Sequence, residues 1–220
     1  MNKLLTLFFF LLASVSFSQE IEWQNTIGGS GNEWFRSVIQ TNDGGYLVGG
    51  YSSSNISGDK NENCIGNNDY WIVKIDSNGL IQWQNTIGGS LDDYFTSAIQ
   101  TSDNGYLLAG YSWSNISGDK TENTVGSFDY WILKIDSIGN IQWQNDIGGN
   151  GVDMLLDVIQ TADGGFLLGG SSSSMAFGDK NENTCGGDDL WIVKIDSAGT
   201  IEWQNTIGGN LAEKMSSLLQ

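Results

Sequence analysis

One loop in the chain, residues 52–69, concentrates side chains that carry oxygen atoms, and close copies of it recur 60 and 120 residues later. Asp59, Asn61 and Asn63 occupy positions 1, 3 and 5 of the loop, as the ligands of a calcium-binding loop do, and Asp69 adds a later carboxylate. Calcium is therefore the candidate cofactor, and its candidate ligands are Asp59, Asn61, Asn63, Asp69, Asp119, Asn123, Asp129, Asp179, Asn181, Asn183 and Asp189. The glycine expected at position 6 is missing in every copy. The alternative interpretation is that these side chains bind their own backbone and form turns.

Side chains suited to catalysis are scarce. The chain has no histidine, which excludes Ser-His-Asp and Cys-His nucleophile systems and the usual proton carrier near neutral pH. Carboxylates are numerous enough for the acid pair of a glycosidase. However, Asp43, Asp103 and Asp163 recur in every copy shortly before a glycine, as turn residues do. We therefore predict no catalytic residue and no enzymatic activity.

Aromatic residues fall into two groups. Tryptophans recur at two positions of the repeat, represented by Trp23 and Trp71, where apolar and polar residues alternate. That alternation predicts that they belong to the core rather than to a sugar-binding platform. Trp34, Tyr94 and Trp113 break the repeat pattern. Such single aromatics could stack on a sugar ring or a protein partner, or could be surface residues without a ligand.

The two cysteines, Cys64 and Cys185, lie in corresponding loops of the first and third copies. A disulfide between them is chemically allowed in an exported protein. Corresponding loops of non-adjacent repeats are normally further apart than the roughly 4.4 to 6.8 Å between Cα atoms that a bridge requires. Free thiols are therefore the favoured interpretation, with the bridge as the alternative.

All these residues belong to one repeated unit. The stretch Ile-Glu-Trp-Gln-Asn-Thr-Ile-Gly-Gly at residues 21–29 returns with small changes at an offset of 60 residues each time. Alternation of apolar and polar residues predicts four strands in the first unit, at 21–27, 35–41, 46–51 and 70–76. The repeats are residues 21–80, 81–140 and 141–200, followed by a partial copy at 201–220.

Short strands joined by tight turns, with 30 glycines and no proline, predict an all-β fold. A four-stranded antiparallel unit with paired glycines at points of close backbone approach is typical of a β-propeller blade. We therefore expect residues 19–220 to form a β-propeller-like array with three complete blades and a partial fourth. A β-trefoil is the rival fold, but the unit is long for a trefoil lobe, and a trefoil has no place for the partial copy.

Residues 1–18 are typical of a secretory signal peptide. Lys3 gives a positive start, residues 4–15 are apolar, and residues 16–18 form a small-x-small cleavage site. The apolar run is too short for a bilayer, which takes roughly 20 residues. We predict a mature chain without a transmembrane segment that is secreted or at the cell surface, with the periplasm as the alternative. The 26 acidic against 9 basic residues argue against nucleic acid as a partner.

The repeat also resembles a known group of sequences. Its motifs are Trp-Gln-Asn-x-Ile-Gly-Gly, Ile-Gln-Thr-x-Asp-x-Gly-Tyr/Phe-Leu, Gly-Asp-Lys-x-Glu-Asn and Asp-Tyr/Leu-Trp-Ile-x-Lys-Ile-Asp-Ser-x-Gly. Together they resemble the propeller-type repeats of large exported bacterial proteins, many of which end in a type IX secretion sorting domain. The resemblance covers residues 21–220 and implies an extracellular repeat scaffold without implying an activity.

These observations favour a non-catalytic binding or scaffold protein at the cell surface, with a protein or glycan ligand. The alternatives are a carbohydrate-binding module that uses calcium or loop aromatics, and a glycan-acting hydrolase. Three blades and a part are fewer than the roughly four to eight that close a propeller, so we expect an incomplete ring. Because unpaired strand edges invite pairing, we expect either a longer gene product or end-to-end self-association.

Overall fold

The computed structural model describes residues 20–218, which contain twelve β-strands and no helix. The predicted signal peptide lies outside the described residues. Within them, no helix is long and apolar enough to cross a membrane. In chain order the strands are β1 Glu33–Gln40, β2 Tyr46–Ser52, β3 Asp69–Ile75, β4 Ile81–Ile87, β5 Asp93–Gln100, β6 Tyr106–Ser112, β7 Asp129–Ile135, β8 Ile141–Ile147, β9 Asp153–Gln160, β10 Phe166–Ser172, β11 Asp189–Ile195 and β12 Ile201–Ile207.

The strands form three antiparallel sheets of four strands each, and every sheet is a meander in which sequence neighbours pair. We call these sheets blade 1 (β1 to β4), blade 2 (β5 to β8) and blade 3 (β9 to β12). The predicted all-β, propeller-like array of four-stranded repeats is confirmed. The three sheets described within residues 20–218 do not close into one another.

One predicted strand of the first repeat is wrong, because residues 20–32 contain no strand. The equivalent stretches β4, β8 and β12 are strands since each pairs with the strand before it in the chain, as β4 does with β3. No described strand precedes residue 21, so the first copy of the motif lacks a ladder partner. Each blade consequently begins at the second predicted strand of one repeat and ends on the first strand of the next.

The hairpin turn between β1 and β2 shows what the recurring carboxylates do. Gly44 has a φ of 82°, a conformation in which glycine is favoured. Asp43 accepts hydrogen bonds from the Thr41 hydroxyl and the Gly45 amide, and it pairs with the Lys74 ammonium at 2.9 Å. The Thr41 hydroxyl and Lys74 lower the pKa of Asp43 to about 2. The same turn recurs with Asp103 and Asp163, which confirms these carboxylates as turn residues.

The core lies between the blades. We call the face of a blade that is turned toward the preceding blade its front face, and the opposite face its back face. Tyr70 and Ile72 on the back face of blade 1 pack with Trp131 and Leu133 on the front face of blade 2. An equivalent cluster joins blades 2 and 3 around Trp191. Hydrophobic burial between blades therefore holds the array together.

The two recurring tryptophan sets are buried to different degrees. Trp131 and Trp191 are fully buried and Trp71 is 7 % exposed, so the predicted core position of this set is confirmed. In the other set, Trp23 and Trp203 are 38 % and 48 % exposed. The core prediction is wrong for these two residues because they lie at the two ends of the array, where no neighbouring blade covers them.

The blades are arranged around a common side. The first strands of successive blades contact each other, β1 with β5 and β5 with β9. The fourth strands of the described blades make no such contact. The first strands are therefore innermost, as in a propeller, and the ends of these strands lie close together on neighbouring blades.

Candidate ligand-binding surface

Six aromatic side chains form one continuous strip across blades 1 and 2. We call it the aromatic strip, and its members are Trp34, Tyr51, Tyr94, Tyr111, Phe128 and Trp113. Sequence reasoning had singled out Trp34, Tyr94 and Trp113 individually, and the structure brings all three together. Tyr51, Tyr111 and Phe128 are additional members that sequence reasoning missed.

Strand pairing positions most of the aromatic strip. Trp34 lies opposite Tyr51 in the ladder of β1 and β2, and Tyr94 lies opposite Tyr111 in the ladder of β5 and β6. Residues directly opposite in an antiparallel ladder place their side chains side by side on one face. Phe128 immediately precedes β7, which extends the strip into the loop before that strand.

The rings contact one another from one blade to the next. Trp34 stacks on Tyr51 with the ring centroids 5.0 Å apart, and the Tyr51 ring meets Tyr94 of blade 2 edge to face at 4.9 Å. Phe128 then links Tyr94, at 5.8 Å, to Trp113, at 5.5 Å. Such offset and edge-on pairs are the favoured geometries of aromatic rings, and they fix the orientation of each member.

The outermost members of the aromatic strip are open to solvent. Trp34 is 40 % exposed and Trp113 is 46 % exposed, while Tyr51 is buried between them. Burial raises the pKa of Tyr94 and of Tyr111, so both hydroxyls stay protonated and neutral. The strip therefore presents large, rigid and uncharged ring faces to solvent.

One cation, the Arg36 guanidinium, is anchored to Tyr51 within the strip. Arg36, the only arginine of the chain, donates from Nη2 to the Tyr51 hydroxyl at 2.7 Å. Its guanidinium also lies 5.1 Å from the centroid of the Tyr51 ring. These contacts hold the guanidinium in place, and its remaining N–H groups can serve a ligand.

The aromatic strip is absent from blade 3, although blade 3 has the same architecture. Tyr94, Tyr111, Trp113 and Phe128 correspond there to Met154, Ser171, Ser173 and Asp188. A side chain that the blade needed for its own packing would be expected in each copy, as Trp71, Trp131 and Trp191 are. The strip is therefore an addition to the repeat, and that makes it the best candidate for a functional surface.

The candidate calcium ligands lie elsewhere, and their oxygens bind backbone amides. In the first copy Asp59 Oδ2 accepts from Gly28 N at 3.1 Å, and Asn63 Oδ1 accepts from Ile56 N at 3.0 Å. Asp69 Oδ2 accepts from the amides of residues 65 and 66. The same contacts recur for Asp119, Asn123, Asp129, Asp179, Asn183 and Asp189.

The candidate ligands do not converge on one point. Asn61 and Asn181 donate their backbone amides to Gln84 and Gln204. Residues 20–218 contain no group of three or more cysteine, aspartate or glutamate side chains that could hold a metal ion. These contacts are of the kind that the turn interpretation predicts, and calcium binding stays the alternative hypothesis to be tested.

The later carboxylates of these loops are deeply buried. Asp69 and Asp129 are fully buried, and burial raises the pKa of each to about 6. Oδ2 of each is bound by a backbone amide, whereas Oδ1 has no hydrogen-bond partner among the described residues. Both carboxylates therefore favour the protonated form more than an exposed aspartate does.

Both cysteines are free within the described chain. Cys64 is half-buried and donates to the Ser52 carbonyl at 2.9 Å, and burial raises the pKa of its thiol to about 11. Cys185 is exposed. The interpretation of both cysteines as free thiols is confirmed in this structure. Their loops belong to blades 1 and 3, which are not neighbours.

Comparison of the chain with protein-family models and with curated proteins found no significant match. The aromatic strip is therefore interpreted from its own geometry and chemistry.

Proposed function

We propose that this protein is a non-catalytic binding scaffold, secreted or held at the cell surface, and that the aromatic strip is its ligand surface. The observation that carries the proposal is the convergence of six aromatic rings that the repeat does not require. Binding surfaces are enriched in rigid aromatic side chains, since these give a large contact area for little loss of conformational entropy. The signal-peptide pattern and the resemblance to exported bacterial repeats support the location.

The ligand class that fits this surface best is a neutral glycan. The C–H groups of a pyranose face are weakly positive and pack on the electron-rich face of an aromatic ring. Trp34 and Trp113 offer such faces, and Arg36 and the tyrosine hydroxyls offer hydrogen-bond donors for sugar hydroxyls. The net charge of −17 disfavours acidic polysaccharides and nucleic acid, because the field of the whole chain repels them.

A glycan array tests the proposal. The purified chain should bind neutral oligosaccharides, and Trp113→Ala should weaken that binding about fivefold or more, since stacking on one exposed aromatic contributes roughly 1–3 kcal/mol. Phe177→Ala is the matched control, because Phe177 is 57 % exposed but lies in the loop between β10 and β11 of blade 3, outside the strip. The control should bind as the unchanged protein does.

Three outcomes would overturn the proposal. The first is an array without any bound glycan. The second is glycan binding that Trp113→Ala leaves unchanged. The third is turnover of a bound glycan, which would show a hydrolase instead of a binding scaffold.

A further inference from the structure

The front face of blade 1 is an apolar surface that no blade covers. Phe35 and Val38 of β1 are 62 % and 52 % exposed, whereas the equivalent Phe95 and Ala98 of blade 2 are 0 % and 4 % exposed. With Val48 and Val73 they line an open groove of about 480 Å³. Where another blade covers the same positions, they form core.

The back face of blade 3 is also an apolar surface that no described blade covers. Ile207 is 51 % exposed, whereas the equivalent Ile87 and Ile147 are each 2 % exposed. Leu190 and Ile192 on this face are half-buried, although their equivalents in blades 1 and 2 are fully buried. The array therefore exposes one front face and one back face.

The contacts between blades within one chain show how a back face packs on a front face. The back face of blade 1 packs on the front face of blade 2, and the back face of blade 2 packs on the front face of blade 3. The two open faces are therefore copies of surfaces that already pack on each other twice within one chain. The partner that matches each of them is a blade of this same repeat.

One short segment of the chain lies on each of the two open faces. Residues 21–27 lie on the front face of blade 1 as β4 lies on blade 2. The Trp23 ring is 6.0 Å from Tyr46, as Trp83 is 6.2 Å from Tyr106. Asn25 Nδ2 donates to the Gly79 carbonyl, as Asn85 does to that of Gly139. Residues 211–218 lie on the back face of blade 3, where Met215 approaches Gly169 as Phe95 approaches Gly49.

Neither segment forms a strand, and the two are held differently. In residues 211–218 the Glu213 amide donates to the Asp188 carbonyl at 2.7 Å, and the Leu218 amide donates to Asp157 Oδ2 at 2.8 Å. Residues 21–27 make no backbone-to-backbone hydrogen bond with the described chain. Their sequence, Ile-Glu-Trp-Gln-Asn-Thr-Ile, is identical to that of β12, which is already paired with β11. A blade 3 from another copy would therefore bring the same side chains to the same place, on a complete sheet instead of an unpaired segment.

We propose that the partner is a second copy of this chain, bound head to tail. The back face of blade 3 of one copy packs on the front face of blade 1 of the other. In that contact β12 replaces residues 21–27, and β1 replaces residues 211–218. Two such contacts join two copies into a ring of six blades, within the range of roughly four to eight blades that closes a propeller.

Light scattering on the purified chain tests the proposal. Because each copy carries a net charge of −17, the measurement belongs at about 0.15 M salt or above, where screening limits the repulsion. We expect twice the mass of one chain. A single-chain mass at micromolar concentration, or a series of larger masses, would overturn the two-copy ring.

Two variants and a control separate head-to-tail packing from other dimers. Phe35→Asp places a charge on the front face, and Ile207→Asp places one on the back face. Both positions are exposed in one chain, so each variant should fold, and each should be a monomer. Ile138→Asp is the control, because Ile138 is 68 % exposed in a turn away from both faces, and this variant should stay a dimer.

The masses of the two variants distinguish head-to-tail packing from a contact between like faces. Dissociation by Phe35→Asp alone, or by Ile207→Asp alone, would mean a symmetrical contact between like faces and would overturn head-to-tail packing. An unchanged mass for both variants would also overturn it. Trp113→Ala should keep the dimer mass, which separates this contact from the glycan surface.

Discussion

At the scale of single residues, tryptophan occupies two different environments in this chain. Trp131 is fully buried, donates from Nε1 to Gln144 Oε1 at 3.0 Å, and packs against the Tyr70 ring at 5.0 Å. Trp113 is 46 % exposed at the end of the aromatic strip. Burial, and not residue type, therefore separates the structural tryptophans from those that we propose as ligand contacts.

The first prediction follows from this difference. Trp131→Ala should lower the free energy of unfolding by roughly 3–5 kcal/mol, because it leaves a large cavity between blades 1 and 2. Trp113→Ala should change it by less than about 0.5 kcal/mol, as surface substitutions usually do. Chemical denaturation followed by tryptophan fluorescence measures both. Unchanged stability of Trp131→Ala together with lost glycan binding would show that the buried set is the binding platform.

A second prediction concerns the buried carboxylate of Asp69. Burial, with a smaller contribution from the Asp93 carboxylate, raises its folded-state pKa from 3.8 to about 6, against the lowering effect of the hydrogen bonds from the amides of residues 65 and 66. Lys60 lies nearby. Between about pH 4 and pH 6 the folded state then binds more protons than the unfolded state, so stability falls as the pH rises through that window. The fall from this one group is on the order of 3 kcal/mol.

Asp69→Asn tests this assignment, since an amide resembles the protonated carboxyl and its oxygen can still accept from the Ile65 amide. The variant should match the unchanged protein near pH 4 and be at least as stable at pH 7. Asp43→Asn is the control with the opposite sign, because the Thr41 hydroxyl and Lys74 lower the pKa of Asp43 to about 2. That variant should lose stability at pH 7. An Asp69→Asn variant with an unchanged pH profile would contradict the assignment.

Some residues of the candidate site could be predicted from the sequence. Trp34, Tyr94 and Trp113 stand out because they interrupt a repeat. Tyr51 and Tyr111 were harder to predict, because the register counted from the hairpin turns places them opposite Phe35 and Phe95. A bulge between residues 35 and 37 of β1, and between residues 95 and 97 of β5, shifts them opposite Trp34 and Tyr94. Phe128 also interrupts the repeat, since Asn68 and Asp188 occupy the equivalent positions, but it lies in a loop, where no ladder register predicts its neighbours.

At the scale of strands and loops, glycines occupy positions where neighbouring strands approach each other closely. A Cβ atom at Gly110 would lie 2.1 Å from the Tyr94 carbonyl and 2.4 Å from the Tyr70 hydroxyl. A Cβ atom at Gly169 would meet only the flexible ends of Met215 and Leu218, and the second repeat already has Ala109 at that position. The two glycines lie in equivalent strands, β6 and β10, but under different constraints.

The third prediction compares these glycines. Gly110→Ala should destabilise the protein by roughly 1–3 kcal/mol, because the backbone of β5 must move to make room. Gly169→Ala should have little effect, since a side-chain end can move aside. Thermal melting of the two variants measures the difference. Equal melting temperatures would show that the bulge between residues 95 and 97 of β5 adapts freely.

The fourth prediction concerns the loops between the second and third strands of each blade. Calcium would have to displace backbone amides from oxygens such as Asp59 Oδ2 and Asn63 Oδ1. We therefore expect the same melting temperature with calcium and with a chelator. A rise with millimolar calcium, accompanied by calorimetric binding, would establish the calcium site instead, because ligand binding to the folded state raises stability by mass action.

At the scale of the whole molecule, the sequence predicts the fold class and the open array. It does not predict which four strands form each blade. The repeat begins at the Trp-Gln-Asn motif, whereas each sheet ends there. The periodicity is the same whichever strand is counted first, so only strand pairing can decide the boundary. For the same reason the stretch at residues 21–27 has a strand-like sequence and no strand structure, since a ladder requires a partner.

The last prediction concerns how protection against amide exchange is distributed over the array. Blade 2 is the one described blade with another blade on both faces, and in a stacked array the stability of each unit depends on its neighbours. In dilute solution the amides of β6 and β7 should therefore exchange most slowly, and those of β1 and β12 should exchange faster. Hydrogen–deuterium exchange with mass spectrometry measures this. At concentrations where two copies associate, β1 and β12 should approach the protection of blade 2, while residues 21–27 stay unprotected because β12 of the other copy has taken their place. Equal protection of all three blades at every concentration would show one cooperative unit and would contradict the expected gradient.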